Sequence, residues 1–188
     1  MQSTETLKAE HRGIERMLRI LAQVSDRLEA GESVEGADLE QMVEFFQVFA
    51  DRCHHAKEED LLFVALEAEG IPRQGGPIGV MLHEHTMGRR YVQGMAQAAA
   101  TYRSGDYSVG PRFAENARAY IALLRDHIEK EDNVLYPIAD ARLGPEEDRA
   151  LVEGFEQVEE ERIGQGRHEE FHQLLDRLEE TYVRQPQR

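Results

Sequence analysis

Two short segments, residues 54–63 and 127–136, decide the fold of this chain. The first reads HHAKEEDLLF and the second reads HIEKEDNVLY, so both follow the pattern His-x-x-Lys-Glu-acid-x-apolar-Leu-aromatic. In each segment, the first histidine and the glutamate four positions later lie on one face of a helix, because i and i+4 side chains are neighbours there. Each segment therefore projects an imidazole and a carboxylate in the same direction.

A second repeated pattern stands upstream of each segment. Residues 7–11 read LKAEH and residues 81–85 read MLHEH, and an arginine stands five residues after the final histidine in both copies. His85 follows His11 by 74 residues, and His127 follows His54 by 73 residues. This nearly constant offset favours two related helical hairpins over chance matches.

Apolar residues recur at helical spacing around these motifs, and no segment alternates as a strand would. The periodicity predicts an all-α, up-and-down four-helix bundle in residues 1–142, with one or two additional C-terminal helices in a 143–188 extension packed on the same domain. Caps, glycines and prolines set the expected bounds. The four helices run from a Ser3 or Thr4 cap to Gly31, from Asp38 to Gly70, from Ile78 to Gly105, and from Pro111 to Pro137, which should kink or close the last one.

Composition narrows the classes of partner. The chain has 188 residues, 40% of them hydrophobic, which is enough for one globular core. Its formal net charge of −15 opposes binding to nucleic acid or to anionic membranes. Cys53 is the only cysteine, and no apolar run is long enough to cross a bilayer. These features predict a cytoplasmic protein without disulfides, and they leave monomer and homodimer open.

Six polar residues interrupt the apolar stripes of the four predicted helices. Closing the bundle would bring four imidazoles and two carboxylates into one interior, where metal cations would balance the buried negative charge. A salt-bridge core is the alternative, but the neighbouring lysines lie about 100° around the helix from the glutamates. Imidazole and carboxylate donors without thiolate favour iron or manganese and leave zinc and copper open. The predicted ligands are His11, His54, Glu58, His85, His127 and Glu131.

The four motifs together resemble the hemerythrin-like, or HHE cation-binding, family of non-haem di-iron proteins. The resemblance spans roughly residues 5 to 140. It implies a left-handed four-helix bundle that holds two iron ions between the six residues named above. It also implies that Glu58 and Glu131 bridge the ions, together with an oxide or hydroxide.

One departure from the family bears on function. Oxygen-carrying hemerythrins add a fifth histidine, and the chain has no counterpart one turn from His85, since His83 lies about 200° around the helix. Each iron would then keep an open position for O₂, peroxide or nitric oxide. In this respect the chain is similar to the family members that sense or detoxify such molecules, act in stress responses or repair iron centres. Iron storage or delivery, and a purely structural metal, remain alternatives; enzymatic turnover and catalytic residues stay unassigned.

Other residues receive weaker expectations. His168 is a conceivable further ligand from the C-terminal extension, whereas His55 should point off the stripe into solvent. Tyr120 should pack in the core, although it could approach the metals as a donor. Cys53 should behave as a small apolar side chain. The acidic run at residues 159–161 should form a solvated helix face.

Overall fold

The protein is described by a computed structural model that covers residues 1–162, 164 and 166–184. These residues are almost entirely helical and contain no strand, which confirms the all-α class. Four long helical paths run up and down, and the second and fourth paths contain π-helical segments. The α- and π-helical elements are α1 Gln2–Glu29, α2 Gly36–Phe45, π1 Phe46–His55, π2 Glu58–Leu62, α3 Phe63–Ala68, α4 Pro77–Arg103, α5 Gly110–Lys130, π3 Glu131–Leu135, α6 Tyr136–Arg142, α7 Pro145–Arg162, α8 Arg167–Glu179 and π4 Glu180–Arg184, and a short 3₁₀ helix at Tyr107–Val109 precedes α5.

Helix ends follow the sequence signals in most places. Gly31 adopts a left-handed φ of 73° just after α1, as a helix-terminating glycine does. The predicted start of α1 is wrong, because Ser3 and Thr4 lie inside the helix and bond to Asp148 and Asp140 instead of capping it. Pro137 does not close the fourth path either. It stands in the first turn of α6, after π3, and the helix continues beyond it to Arg142.

The two hairpins differ in length by one residue. The helix preceding each loop extends equally far beyond its histidine, and the loops at 30–35 and 104–109 have equal lengths. The following helix needs residues 36–54 to reach His54, but only residues 110–127 to reach His127. The extra residue therefore lies in the stretch that contains π1. A π-helical turn takes up more residues than an α-helical turn, so π1 absorbs it.

The apolar core consists of two clusters with the polar residues between them. One cluster surrounds Ile14, Phe46 and Tyr120, and the other surrounds Leu7, Phe63 and Leu135. Helices α7 and α8 cover the bundle and contribute Phe155 to the second cluster and Phe171 to the first. Apolar layers thus flank the polar residues on both sides and keep water away from them.

The C-terminal helices are also tied to the bundle by polar contacts. The Tyr182 hydroxyl donates to Asp38 at 2.6 Å, and Arg16 pairs with Asp176 and Glu179. The division of the chain at residue 142 stays a prediction. Among the described residues, no helix is both long enough and apolar enough to span a membrane.

Candidate metal centre

The fold brings all six predicted ligands together in the interior of the bundle. Each of the six side chains belongs to a residue that is at most 1% exposed. α1 and α4 supply one histidine each, and the two longer helical paths supply a histidine and a glutamate each. The six residues meet in the interior because each lies on the apolar stripe of its helix, and burial of that stripe turns this face of the helix inward.

The four imidazoles form two pairs. Nε2 of His11 lies 3.0 Å from Nε2 of His54, and Nε2 of His85 lies 3.1 Å from Nε2 of His127. Two nitrogens bound to one ion at about 2.1 Å, at right angles to each other, would be about 3 Å apart. Each pair therefore has the spacing of two ligands of a single ion, and the two pairs offer positions for two ions.

The two glutamates each reach both histidine pairs. Glu58 Oε2 lies 3.7 Å from His54 Nε2 and 3.4 Å from His85 Nε2. Glu131 places Oε2 3.2 Å from His11 Nε2 and Oε1 3.0 Å from His127 Nε2. These three carboxylate oxygens are buried and have no hydrogen-bond partner among the described residues. Unpartnered buried carboxylate oxygens are costly, and cations placed between the two histidine pairs would satisfy them.

Four further carboxylates surround the cluster, and each accepts a hydrogen bond from Nδ1 of one of the four predicted ligand histidines. Nδ1 of His11 donates to Asp132 and Nδ1 of His85 donates to Glu59, at 2.8 and 2.7 Å. In both cases the acceptor directly follows one of the two predicted ligand glutamates. Because a carboxylate cannot donate, Nδ1 carries a proton, which leaves Nε2 as the nitrogen that faces the interior and could offer a lone pair to an ion.

The other two histidines donate to glutamates that directly precede the first predicted ligand histidine of their own hairpin. Nδ1 of His54 donates to Glu10 at 2.8 Å, and Nδ1 of His127 donates to Glu84 at 2.9 Å. Sequence reasoning missed these four acceptors, although the repeated Glu-His and Glu-acid pairs could have revealed them. They fix ring orientation and raise the basicity of the imidazoles, as partners of metal-bound histidines do.

The electrostatics of the cage formed by the six predicted ligands favour positive charge. Burial alone would lower the pKa of His11, but Asp132 and Glu131 raise it to about 9. Burial likewise opposes ionisation of Glu131, yet the surrounding histidines hold the pKa of this carboxyl well below its usual range. The buried carboxylates thus favour protonation of the histidines beside them, and a bound cation would replace these protons.

The two lysines that recur in the repeated segments pair with the outer carboxylates rather than with Glu58 and Glu131. Lys57 pairs with Glu10 and with Glu159 of α7, and it is fully buried beneath Phe155. Lys130 pairs with Glu84, but its side chain is 39% exposed. Within the acidic run at residues 159–161, Glu160 and Glu161 are exposed as expected, and Glu159, whose side chain is 37% exposed, also pairs with Lys57.

One tyrosine approaches the cage directly. The Tyr136 hydroxyl donates to Glu58 Oε1 at 2.8 Å and lies 3.3 Å from His11 Nε2. Its ring stacks on the His11 imidazole, with centroids 5.5 Å apart. The equivalent position of the other repeat is Phe63, which has no hydroxyl. Tyr120, the tyrosine singled out from sequence, packs against Phe46 in the core as expected.

The expectation for His55 is wrong. Its side chain is buried, stacks on His85 with centroids 3.9 Å apart, and faces Asp51 through Nδ1 at 3.3 Å. Its Nε2 is buried and has no hydrogen-bond partner in the part of the chain that the structure describes. The π-helical winding of π1 differs from the α-helical winding assumed for the sequence, and His55 consequently turns inward. Burial, together with the charge of His85, lowers the pKa of His55 well below its ordinary value.

The remaining candidates lie away from the cage. His83 is exposed, as its position on α4 predicts. His168 lies near Glu159 and against the ring of Phe49, in a group with Glu10 and Cys53. His168 therefore lies outside the cluster that the six predicted ligands form. Cys53 is fully buried, and burial raises the pKa of its thiol to about 12.

Four imidazoles, two carboxylates between them and an outer ring of acids in an all-α bundle define the class of helical-bundle metal-binding proteins. The sequence matches the family described as Hemerythrin HHE cation binding domain over residues 2–139. The chain belongs to this family, which confirms the resemblance seen in its motifs. It is accordingly a metal-binding protein.

Similar proteins give no further functional name. The chain is 25% identical over 174 residues to uncharacterized proteins of Mycobacterium tuberculosis and Mycobacterium bovis, an alignment that covers 93% of this chain. The chain spans 66% of the length of these relatives. No solved structure matches the chain significantly.

Proposed function

We propose that the chain binds two iron ions between the six buried ligands and that these ions bind or react with O₂, peroxide or nitric oxide. One ion would be held by His11 and His54, and the other by His85 and His127. Glu58 and Glu131 would be shared between the ions. The observation that carries the proposal is the pair of close Nε2 contacts together with three buried, unpartnered carboxylate oxygens.

The donor set fits iron. Imidazole and carboxylate donors without thiolate fit iron better than a structural zinc site, and none of the six predicted ligands is a thiolate. Bound iron would supply open coordination positions and electrons for small molecules. The two carboxylates would balance half of the charge of two divalent ions, and the four outer carboxylates would add negative charge close by, which makes burial of the ions tolerable.

The chain's own residues would keep the centre in shape during such chemistry. The four outer carboxylates hold each Nδ1 proton and so fix which nitrogen faces the ions. Tyr136 holds one oxygen of Glu58 in place through its hydroxyl. The apolar clusters on both sides exclude bulk water and thereby limit side reactions.

Burial also favours reactivity over iron delivery. All six donors are at most 1% exposed, so release of an ion would require the bundle to open. Small molecules such as O₂ or peroxide need much less space than a hydrated cation. Iron storage or delivery is therefore the second candidate, and the same experiment separates the two.

Metal content by mass spectrometry, combined with visible spectra, tests the proposal. We expect about two irons per chain, as the two histidine pairs imply, and a spectral change when reduced protein meets O₂, peroxide or nitric oxide. The exposed His83 offers a control, since H83A should retain all the iron. A metal-free protein, or one zinc per chain, would contradict iron binding. Full iron without any spectral response, and with transfer to an acceptor protein, would favour delivery.

A further inference from the structure

We propose that Tyr136 is a further ligand of the metal centre and binds a ferric ion through its phenolate oxygen, next to His11. The inference rests on the proposed function and concerns the way in which the two metal positions differ. The sequence motifs do not point to this donor, because the repeated segments share only an aromatic side chain at its position.

The Tyr136 hydroxyl lies at the spacing expected between two ligands of one ion. Its oxygen is 3.3 Å from His11 Nε2 and 2.8 Å from Glu58 Oε1. Two donor atoms that bind one ion at about 2.1 Å, at right angles to each other, would be about 3 Å apart. The two histidine pairs meet the same criterion, with 3.0 and 3.1 Å between their Nε2 atoms. The hydroxyl oxygen therefore has the spacing of a member of the ligand cluster.

The fold holds Tyr136 in this position. The residue is 0% exposed, begins α6 directly after π3, and packs in the apolar cluster around Leu7 and Leu135. The ring planes of Tyr136 and His11 differ by 13°, but the ring centroids are 5.5 Å apart. Rings at this distance are offset, so the hydroxyl meets the edge of the imidazole at Nε2. The oxygen thus lies on the side of His11 where an ion would bind.

The other hairpin has no donor at the equivalent position. Phe63 stands there, and its ring lies at 17° to the ring of His85, with centroids 6.0 Å apart. The two aromatic side chains thus have matching arrangements, and only Tyr136 carries an oxygen. The ion held by His85 and His127 would have one donor fewer than the other ion. It is therefore the ion that would keep an open position for a small molecule.

A hydrogen bond to Glu58 is the competing role for the hydroxyl. Burial, together with the charge of Glu58, raises the pKa of Tyr136 well above its ordinary value, so the hydroxyl carries its proton in this structure. A ferric ion at His11 and His54 would reverse this preference, because a bound cation is the largest charge in its site and deprotonates the ligands that it holds. The two roles are distinguishable, since only a bound phenolate gives a charge-transfer band with ferric iron.

Ligation exchanges a proton for a bond to the ion. The O–H bond of Tyr136 breaks, the oxygen gives an electron pair to the ferric ion, and the proton leaves for solvent, as ligand protons do when metals bind. Glu58 Oε1 no longer accepts this hydrogen bond and can bind the same ion. The phenolate also adds a negative charge that balances part of the charge of the ions. Tyrosine is a known protein ligand of iron in haem proteins, so the donor type is suitable.

Visible absorption and resonance Raman spectra of the ferric protein test the inference. We expect a phenolate charge-transfer band in the wild type, with ring vibrations of tyrosine enhanced by excitation in that band, and complete loss of both in Tyr136→Phe. Tyr182→Phe is the matched control, because it removes a hydroxyl that donates to Asp38 away from the cage, and it should keep both signals. Iron analysis on every sample allows comparison at equal iron content. Iron-loaded wild type without these vibrations, or Y136F with them, would overturn the inference.

A measurement without iron separates this inference from the proposed function. Gallium(III) has the charge of ferric iron but no redox reaction with O₂, peroxide or nitric oxide. The chain contains no tryptophan and six tyrosines, so loss of a proton by one tyrosine is visible in the ultraviolet difference spectrum. On binding of gallium, we expect a tyrosinate signal in the wild type and in Y182F, and none in Y136F.

The outcomes of the two measurements can be told apart. Equal tyrosinate signals in all three gallium-loaded proteins, or none in wild type that holds gallium, would reject ligation by Tyr136. An iron protein that shows the phenolate band but is inert to every small molecule would support the inference and reject the proposed reactivity.

Discussion

The two helical hairpins supply equal sets of predicted ligands but surround them differently. Each gives two histidines, a glutamate and two outer carboxylates at matching positions. Around these sets, Lys57 of the first hairpin is buried, whereas the equivalent Lys130 of the second is 39% exposed. Tyr136 of the second hairpin, which bonds to Glu58, corresponds to Phe63 of the first. Bound ions would constrain the six predicted ligands, whereas the neighbouring residues are free to differ. The asymmetry therefore lies where it would distinguish the two proposed metal positions without disrupting either of them.

Removal of a shared carboxylate should have the largest effect and should be equal in the two hairpins. Glu58→Ala and Glu131→Ala should each weaken metal binding by more than about 100-fold, because replacing even an outer partner of a ligand costs about 10- to 100-fold. Metal content after dialysis against a chelator measures this, with H83A as the control. Retention of metal by one of the two variants would show that the hairpins do not share the ions equally.

Replacement of the repeated lysine should separate the hairpins. Lys57→Met leaves the buried carboxylate of Glu10 without its cation and should lower the free energy of unfolding by roughly 3–5 kcal/mol. Lys130→Met removes a pair open to solvent and should cost about 0–1 kcal/mol. Urea denaturation of both variants provides the comparison. Equal losses would mean that α7 does not shield Lys57 in solution.

The tyrosine should affect metal binding more than protein stability. Tyr136→Phe makes this position match Phe63 of the other hairpin and removes the hydrogen bond to Glu58. We expect metal affinity to fall about tenfold, the lower end of the range for partners of metal ligands. Tyr182→Phe removes a similar bond to Asp38 far from the cage and should leave metal affinity unchanged. Chelator competition titrations on the two variants would reveal the difference.

The exposed arginines that hold outer carboxylates should have the smallest effect. Arg12 of the first hairpin contacts Asp132 of the second, and Arg89 of the second contacts Glu59 of the first. Both arginines are about half exposed. Replacing either by alanine should change metal affinity by less than about fivefold, equivalent to about 1 kcal/mol. The same titrations measure it. A much larger loss in one variant would reveal a difference between the hairpins that exposure does not explain.

Much of the fold was predictable from sequence because i, i+4 spacing and apolar stripes are local signals. They placed the four helical paths, and they predicted that six polar residues would share one interior, which their distances confirm. Their role as metal ligands stays a prediction. The start of α1 could not be predicted, because Ser3 bonds to Asp148, a residue 145 positions away. Tertiary contacts of this kind leave no local pattern.

His55 shows where the same reasoning fails. Its predicted direction assumed 3.6 residues per turn, but it lies at the end of a π-helical segment. Nothing in residues 46–55 taken alone signals that winding. The one-residue difference between the repeat offsets was a visible hint, and only the measured helix bounds assign it to π1. Tyr136 was missed for another reason, since the repeat pattern treats it and Phe63 as equivalent aromatics.

The burial of Cys53 bears on the chemical durability of the protein. Thiols are oxidised mainly as thiolates, and a thiol whose pKa is about 12 is almost entirely protonated at neutral pH. The sulfur also has no exposed surface. A protein that meets peroxide can therefore keep this cysteine beside His54 through many encounters without sulfenic acid formation, and its useful lifetime would depend on the metals rather than on the thiol.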